Sequence, residues 1–156
     1  MAAQMEKNKM IKLLEQLKRH EGFESHVYDD SGKDIENHGK LTIGIGRNVD
    51  PRGGLGISEE EAMYLLEADV LRCIKELSGE YPWFGQLDEV RQESVINIFF
   101  NLGSTKFRLF RKAIQCLEGG DTKGAAIEFL DSKWSRQVGN RSFELAEQLT
   151  TGRYAE

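Results

Sequence analysis

Between residues 8 and 20 the apolar positions Met10, Leu13, Leu14 and Leu17 share one face at helical spacing, and Gly22 supplies a stop. The texture changes from Val27 onward. As far as Ile57, glycines at 32, 39, 44, 46, 53, 54 and 56, together with Pro51, cut the chain into short strands and turns. Helical spacing then returns. Ser58 with Glu61 three positions on forms a capping box and predicts a helix running to about Leu77. Asp88 caps the next predicted helix, where Val95, Ile96, Ile98, Phe99, Phe100 and Leu102 leave an apolar surface nearly all round, as in the buried centre of a helical lobe. Further helices are predicted at 106–118, closed by Gly119-Gly120, at 122–132, opened by Asp121, and at 142–150, with Ser142 as cap. The pattern implies an α+β, predominantly helical chain. It reads as a β-rich lobe at about 21–57, a connecting helix at about 58–78 and a helical lobe at about 80–156.

Composition narrows the class. A chain of 156 residues is one ordinary domain, long enough for a real core. Hydrophobic residues at 39% and charged residues at 30% are those of a globular protein in water. No apolar run approaches the roughly 20 residues that span a bilayer, so no stable membrane association is expected. The first twenty residues lack the continuous apolar stretch of a secretory signal. The net charge of −5 gives no overall attraction to nucleic acid or to anionic surfaces, and no nucleic-acid partner is expected. The basic run Arg108-Leu109-Phe110-Arg111-Lys112 reads as a solvated helix face. Cys73 and Cys116 have no CxxC partner and no nearby His, so they are expected to be reduced thiols and not a metal site.

Candidate chemistry gathers between His20 and Arg47. Glu21 closes the first amphipathic helix, where the negative end of the helix dipole disfavours ionisation, and burial beside Phe23 would push the same way. A raised pKa is what a general acid needs. Asp30 follows nine positions later in Asp30-Ser31-Gly32, which is also a plain turn sequence, and Asp29 is a second candidate for its role. Thr42 opens a Thr-Ile-Gly-Ile-Gly run that reads as a strand. An acid on one wall of a cleft and a carboxylate with a hydroxyl on the other is the set that cleaves a glycosidic bond. Two other readings fail. Asp30, Gly32 and Asp34 faintly suggest alternate calcium ligands, but Ile35 stands where the turn glycine is required. Gly44-Ile45-Gly46-Arg47-Asn48-Val49 lacks the third glycine of a phosphate loop, and Pro51 bars an immediate helix.

These residues resemble the phage-type lysozymes, glycoside hydrolase family 24. That family's signature is a Glu at the end of the first helix, an Asp nine positions on and a Thr in the following strand, matched by Glu21, Asp30 and Thr42. Ser58-Glu59-Glu60-Glu61-Ala62, Leu87-Asp88-Glu89-Val90-Arg91, Phe100-Asn101-Leu102-Gly103, and Lys133-Trp134 with Asn140-Arg141 follow in the family's order. The chain departs from it in the eleven residues between Asp30 and Thr42, longer than in the best-known members, so Glu36 or His38 would stand among different sugar contacts. The resemblance implies a lysozyme-like two-lobed fold with the first helix packed on the helical lobe. It makes Glu21 the acid, and it makes Asp30 with Thr42 the holders of the attacking water. It also implies substrate contacts at Phe100, Asn101, Arg141, Asn48, Ala113 and Glu128, with Arg141 near Glu21. Trp134 reads as core rather than as a sugar platform.

The activity implied is hydrolysis of the β-1,4 bond between N-acetylmuramic acid and N-acetylglucosamine in peptidoglycan. No metal or organic cofactor is needed, since side chains and solvent supply the protons and the nucleophile. The glycan strand is the expected partner and a monomer the expected state. The enzyme would accumulate in the cytoplasm of an infected cell and reach the wall only after a separate membrane lesion. Two rivals stand beside this reading: a lytic transglycosylase, which uses one acid and no water, and a non-catalytic wall-binding or virion module on the same fold.

Overall fold

The computed structural model describes Lys18, residues 22–29 and residues 40–155. The helix expected at 8–20, apart from Lys18, and the candidates Glu21 and Asp30 lie outside the described residues, as does the segment 31–39. The chain forms two compact parts, residues 1–62 and 63–156.

In the first part, Lys18 is helical and its carbonyl accepts the Gly22 N–H at 2.9 Å, an i to i+4 bond. Gly22 has φ 73°, the left-handed conformation with which helices commonly stop. Three strands follow: β1 (Glu24–Asp29), β2 (Leu41–Gly44) and β3 (Arg47–Asn48), antiparallel in the order β1-β2-β3. Tyr28 pairs with Thr42 and Asp29 with Leu41, while a register shift separates them from the Glu24–Gly44 pair. On the other side Thr42 pairs with Asn48 and Ile43 with Arg47. The turn between β2 and β3 is tight because Gly44 and Gly46 both take positive φ, 67° and 68°, which a side chain would strain.

Helix α1 (Glu59–Glu80) opens with the capping box that the sequence predicts. The Ser58 N–H donates to Glu61 Oε2 at 2.8 Å, and the Glu61 N–H donates to Ser58 Oγ at 3.1 Å. A short 3-10 helix at Pro82–Gln86, not legible in the spacing, buries Trp83 and Phe84. Helix α2 (Glu89–Leu102) begins as expected at Asp88, whose side chain accepts from the Arg91 N–H. Val95, Ile98 and Phe99 are buried, but Phe100 is 41% exposed, so this apolar helix is not sunk on every side.

The helix expected at 106–118 is two helices, α3 (Ser104–Phe107) and α4 (Arg111–Glu118). Between them the N–H groups of Leu109 and Phe110 bond three residues back, to Lys106 and Phe107. The turn lets Phe107 and Phe110 both meet Phe129, at ring-centroid distances of 6.2 and 5.3 Å. Helix α5 (Thr122–Leu130) is capped by Asp121 through the Gly124 N–H and ends two residues earlier than expected. Ser132 then accepts the Ser135 N–H and opens α6 (Lys133–Val138), a helix that the hydrophobic spacing did not reveal. The final helix, α7 (Asn140–Thr151), starts before Ser142. That serine is no cap: it is buried within the helix, and its hydroxyl lies 2.8 Å from Ser135 Oγ.

The core of the second part runs from Leu77 to Leu149. Phe107 is its centre, fully buried with Tyr81, Phe99 and Phe129 around it at 5.6, 5.2 and 6.2 Å. Burying one such ring contributes about 1.5–3 kcal/mol, and an edge-to-face neighbour about 0.5–1.5 kcal/mol more. Helix α5 packs between α4 and α7, and α7 also packs on α2. Arg91 joins α2 to the end of α7, donating to the carbonyls of Leu149 at 2.7 Å and Thr150 at 3.0 Å. Among the described residues no helix is long and apolar enough to cross a membrane.

Candidate active site

Thr42 is the one member of the expected catalytic trio within the described residues. It lies in the central strand β2, 5% exposed, and its hydroxyl donates to the Lys40 carbonyl at 3.0 Å. Asp29, the rival to Asp30, is a strand residue. It closes β1, buried and paired with Leu41, so Asp30 is the residue that directly follows the strand.

Beside Thr42 the structure places a carboxylate that sequence reasoning missed. Asp50 is 2% exposed. Its Oδ2 accepts from the Leu41 N–H at 3.1 Å and from Arg52 Nη2 at 2.5 Å. Its Oδ1 accepts from the Arg52 N–H at 2.8 Å and from Arg52 Nε at 2.7 Å. The Arg52 guanidinium and these N–H groups hold the carboxyl far below the ordinary carboxylate range. Its signal in the sequence was the Asp-Pro-Arg turn, but the contact to Leu41, nine residues back, has no local signature. Asn48, expected as a sugar contact, is half-buried in β3, and its Oδ1 accepts the Asp50 N–H at 3.0 Å. Nearby, Arg47 reaches Glu61 at 2.6 Å. The Ser58 N–H and then Arg47 keep the Glu61 carboxyl below its usual value.

In the second part the expected contacts fall into two groups. Phe100 and Arg141 line one pocket of about 420 Å³ with Leu66, Val70, Ile96 and Asn97. Arg141 is held there by Asn97, whose Oδ1 accepts from Nε at 2.9 Å and Nη2 at 2.5 Å. Ala113 and Glu128 line another, of about 440 Å³, with Arg111, Lys112 and Asp131. Ala113 is buried and offers wall rather than polar contact. Asn101 belongs to neither pocket. Its Oδ1 accepts the Trp134 indole N–H at 2.7 Å, tying the end of α2 to α6, and Trp134 is core as expected. Arg108, in the basic run, forms a bidentate pair with Glu80 at 2.6 and 3.0 Å, which lowers the Glu80 pKa.

Cys73 and Cys116 are free thiols, and burial pushes the Cys73 thiol up. Among the described residues no three His, Cys, Asp or Glu side chains gather as a metal ion would require.

The profile of the phage lysozyme family matches residues 18–156, nearly the whole chain. The chain belongs to the phage lysozyme family. Two curated relatives agree. It is 27% identical to "Probable T4-type lysozyme 2" of Dictyostelium discoideum, over 92% of this chain and 96% of that one. It is 26% identical to "Probable T4-type lysozyme 1" of the same organism, over 70% of this chain and 66% of that one. Phage lysozyme membership makes the three-stranded sheet and the helices that follow it a lysozyme-like α+β fold, and the chemistry that of a lysozyme-type glycosidase. The matched span includes Glu21, Asp30 and Thr42.

Proposed function

We propose that the protein is a muramidase that hydrolyses the β-1,4 bond between N-acetylmuramic acid and N-acetylglucosamine in peptidoglycan. The observation that carries this reading is the strand register. Tyr28 pairs with Thr42, β1 ends at Asp29, and a buried hydroxyl thus sits on the strand next to the one that Asp30 directly follows. In this mechanism Glu21 protonates the leaving oxygen. The water attacks the opposite face of the sugar, giving one proton to the Asp30 carboxylate and directing the other at Thr42. Phe100 and Arg141 in their shared pocket, and Glu128 in the other, contact the glycan or its peptide. Host-cell lysis from the cytoplasm, after a separate membrane lesion, is the setting that the reading gives the enzyme.

A single displacement inverts the anomeric carbon and needs carboxyl groups about 6.5–9.5 Å apart, whereas a covalent nucleophile sits at about 5 Å. Thr beside Asp suits water holding better than nucleophilic attack. Fresh products from purified sacculi are therefore expected to be reducing α-anomers of muramic acid, seen by NMR before mutarotation. β-Anomers would give Asp30 a covalent role. Anhydro-muramyl ends would replace the hydrolase with a transglycosylase, and intact sacculi would leave a binding module.

A further inference from the structure

The Lys40–Leu41 peptide carries a hydrogen bond at each end. Its carbonyl accepts the Thr42 hydroxyl at 3.0 Å, and its N–H donates to Asp50 Oδ2 at 3.1 Å. A peptide unit is a rigid plane, so a rotation that loosens one of these bonds disturbs the other. A carboxylate on the N–H also polarises the amide and makes its carbonyl a stronger acceptor.

The direction of the Thr42 proton matters for the chemistry. A hydroxyl has one proton and two lone pairs. An attacking water turns a lone pair to the sugar carbon and both protons to acceptors. One goes to a carboxylate, and the other needs an oxygen that accepts. With its proton committed to Lys40, Thr42 can meet that water only as an acceptor. Asp50 is itself fixed from both sides, with Arg52 on both carboxylate oxygens and its own N–H held by Asn48. The chain also passes close behind Asp50 at Gly54, where a Cβ would lie 2.5 Å from Asn48 Oδ1 and 2.6 Å from Asp50 backbone atoms.

We propose that Asp50 is a positioning residue for Thr42, fixing through the Lys40–Leu41 peptide the direction of the hydroxyl that holds the attacking water. The proposal rests on the hydrolase reading above and adds to it a residue that does not touch substrate.

A kinetic double-mutant cycle tests it, using the full chain on purified peptidoglycan at a temperature where circular dichroism shows every variant folded. The variants are Thr42→Val, Asp50→Asn and the pair. Asp50→Asn is expected to lower kcat about tenfold with KM within about twofold, a loss of orientation rather than of binding. On the Thr42→Val background the same substitution is expected to change kcat by less than about twofold, because its route is already cut. A full second loss in the double variant, or a wild-type kcat in Asp50→Asn, would overturn the proposal while leaving the hydrolase reading in place. Thr42→Val at the wild-type rate would sink the water-holding role of Thr42 itself, and with it the premise. Should Asp50→Asn fail to fold, Asp50→Glu takes its place: it keeps the charge but displaces the carboxylate by a methylene, and the same non-additivity is required.

Discussion

The two compact parts are held together by different physics. Among the described residues of the first part, the buried side chains are Asp29, Thr42 and Asp50, all of them polar. In the second the buried set is mainly apolar, seventeen hydrophobic residues from Leu77 to Leu149 with a few serines and Gln148 among them. Hydrogen bonds have preferred lengths and angles but add only about 0.5–1.5 kcal/mol net apiece. Apolar burial is non-directional but large in sum. The described strands are therefore built for placement and the helical part for stability. Substitutions should separate along that line.

The largest effect is expected at Glu21. Glu21→Gln keeps the side-chain volume but removes the donated proton, and should cost about 10²–10⁴ in wall hydrolysis with the melting temperature unchanged. A folded Glu21→Gln variant that clears permeabilised Gram-negative cells at the wild-type rate would remove it as the acid. The helical part should show the reverse. Phe107→Ala empties the centre of the aromatic cluster and should cost about 3–5 kcal/mol in urea unfolding, with kcat of the folded fraction retained. If its activity falls faster than its folded fraction, the division between placement and stability fails.

The neighbouring pair Asp29 and Asp30 sharpens the comparison within one strand end. Asp30→Ala should abolish most hydrolysis. Asp29→Ala should mainly lower stability, by about 1–3 kcal/mol, because Asp29 is buried and its removal leaves the group it interacts with unpaired. The opposite pattern of activity would move the site by one residue. A smaller effect is expected at Gly152, which caps α7 at φ 69° and whose Cβ would lie 2.7 Å from Arg91 Nη1. Gly152→Ala should cost about 1 kcal/mol or more from the conformation and the displaced guanidinium.

The smallest effect concerns pH. Arg108 lowers the Glu80 carboxyl, so the folded pKa lies below the unfolded one. Such a group adds stability that is fully present above the unfolded value, about 4.3, and is lost as pH falls through the folded value. Because the pair is at the surface, Glu80→Gln should cost less than about 1 kcal/mol at neutral pH, less again in high salt, and nothing in strong acid. A Glu80→Gln difference that grows on acidification would reverse the sign and refute the assignment.

Where chemistry is local, the sequence could be read directly. Ser58 with Glu61, Asp88 with Arg91 and Asp121 with Gly124 each link a side chain to a backbone group three residues on, and each marks a real helix start. Phe107, Phe110, Ala113 and Leu117 keep helical spacing straight across the turn between α3 and α4, so periodicity saw one helix where the chain makes two. Ser142 has the chemistry of a cap, but a buried partner, Ser135, claims its hydroxyl. Of the candidate site, Thr42 could be found from its motif. Asp50 could not, because its link to Leu41 exists only once β2 and the loop after β3 have come together.

The Arg91 bridge has a bearing on how the chain is made. It closes a loop of 58 residues onto Leu149, and α7 supplies Leu145, Ala146 and Leu149 to the same core as α2. Synthesis delivers α2 long before the helix that covers it. The nascent helical part must wait for residue 149 to leave the ribosome, and contacts of such long separation form slowly. A message truncated before Leu145 would thus yield a chain with the α2 side of that core unshielded, a substrate for chaperones and proteases rather than a weaker enzyme.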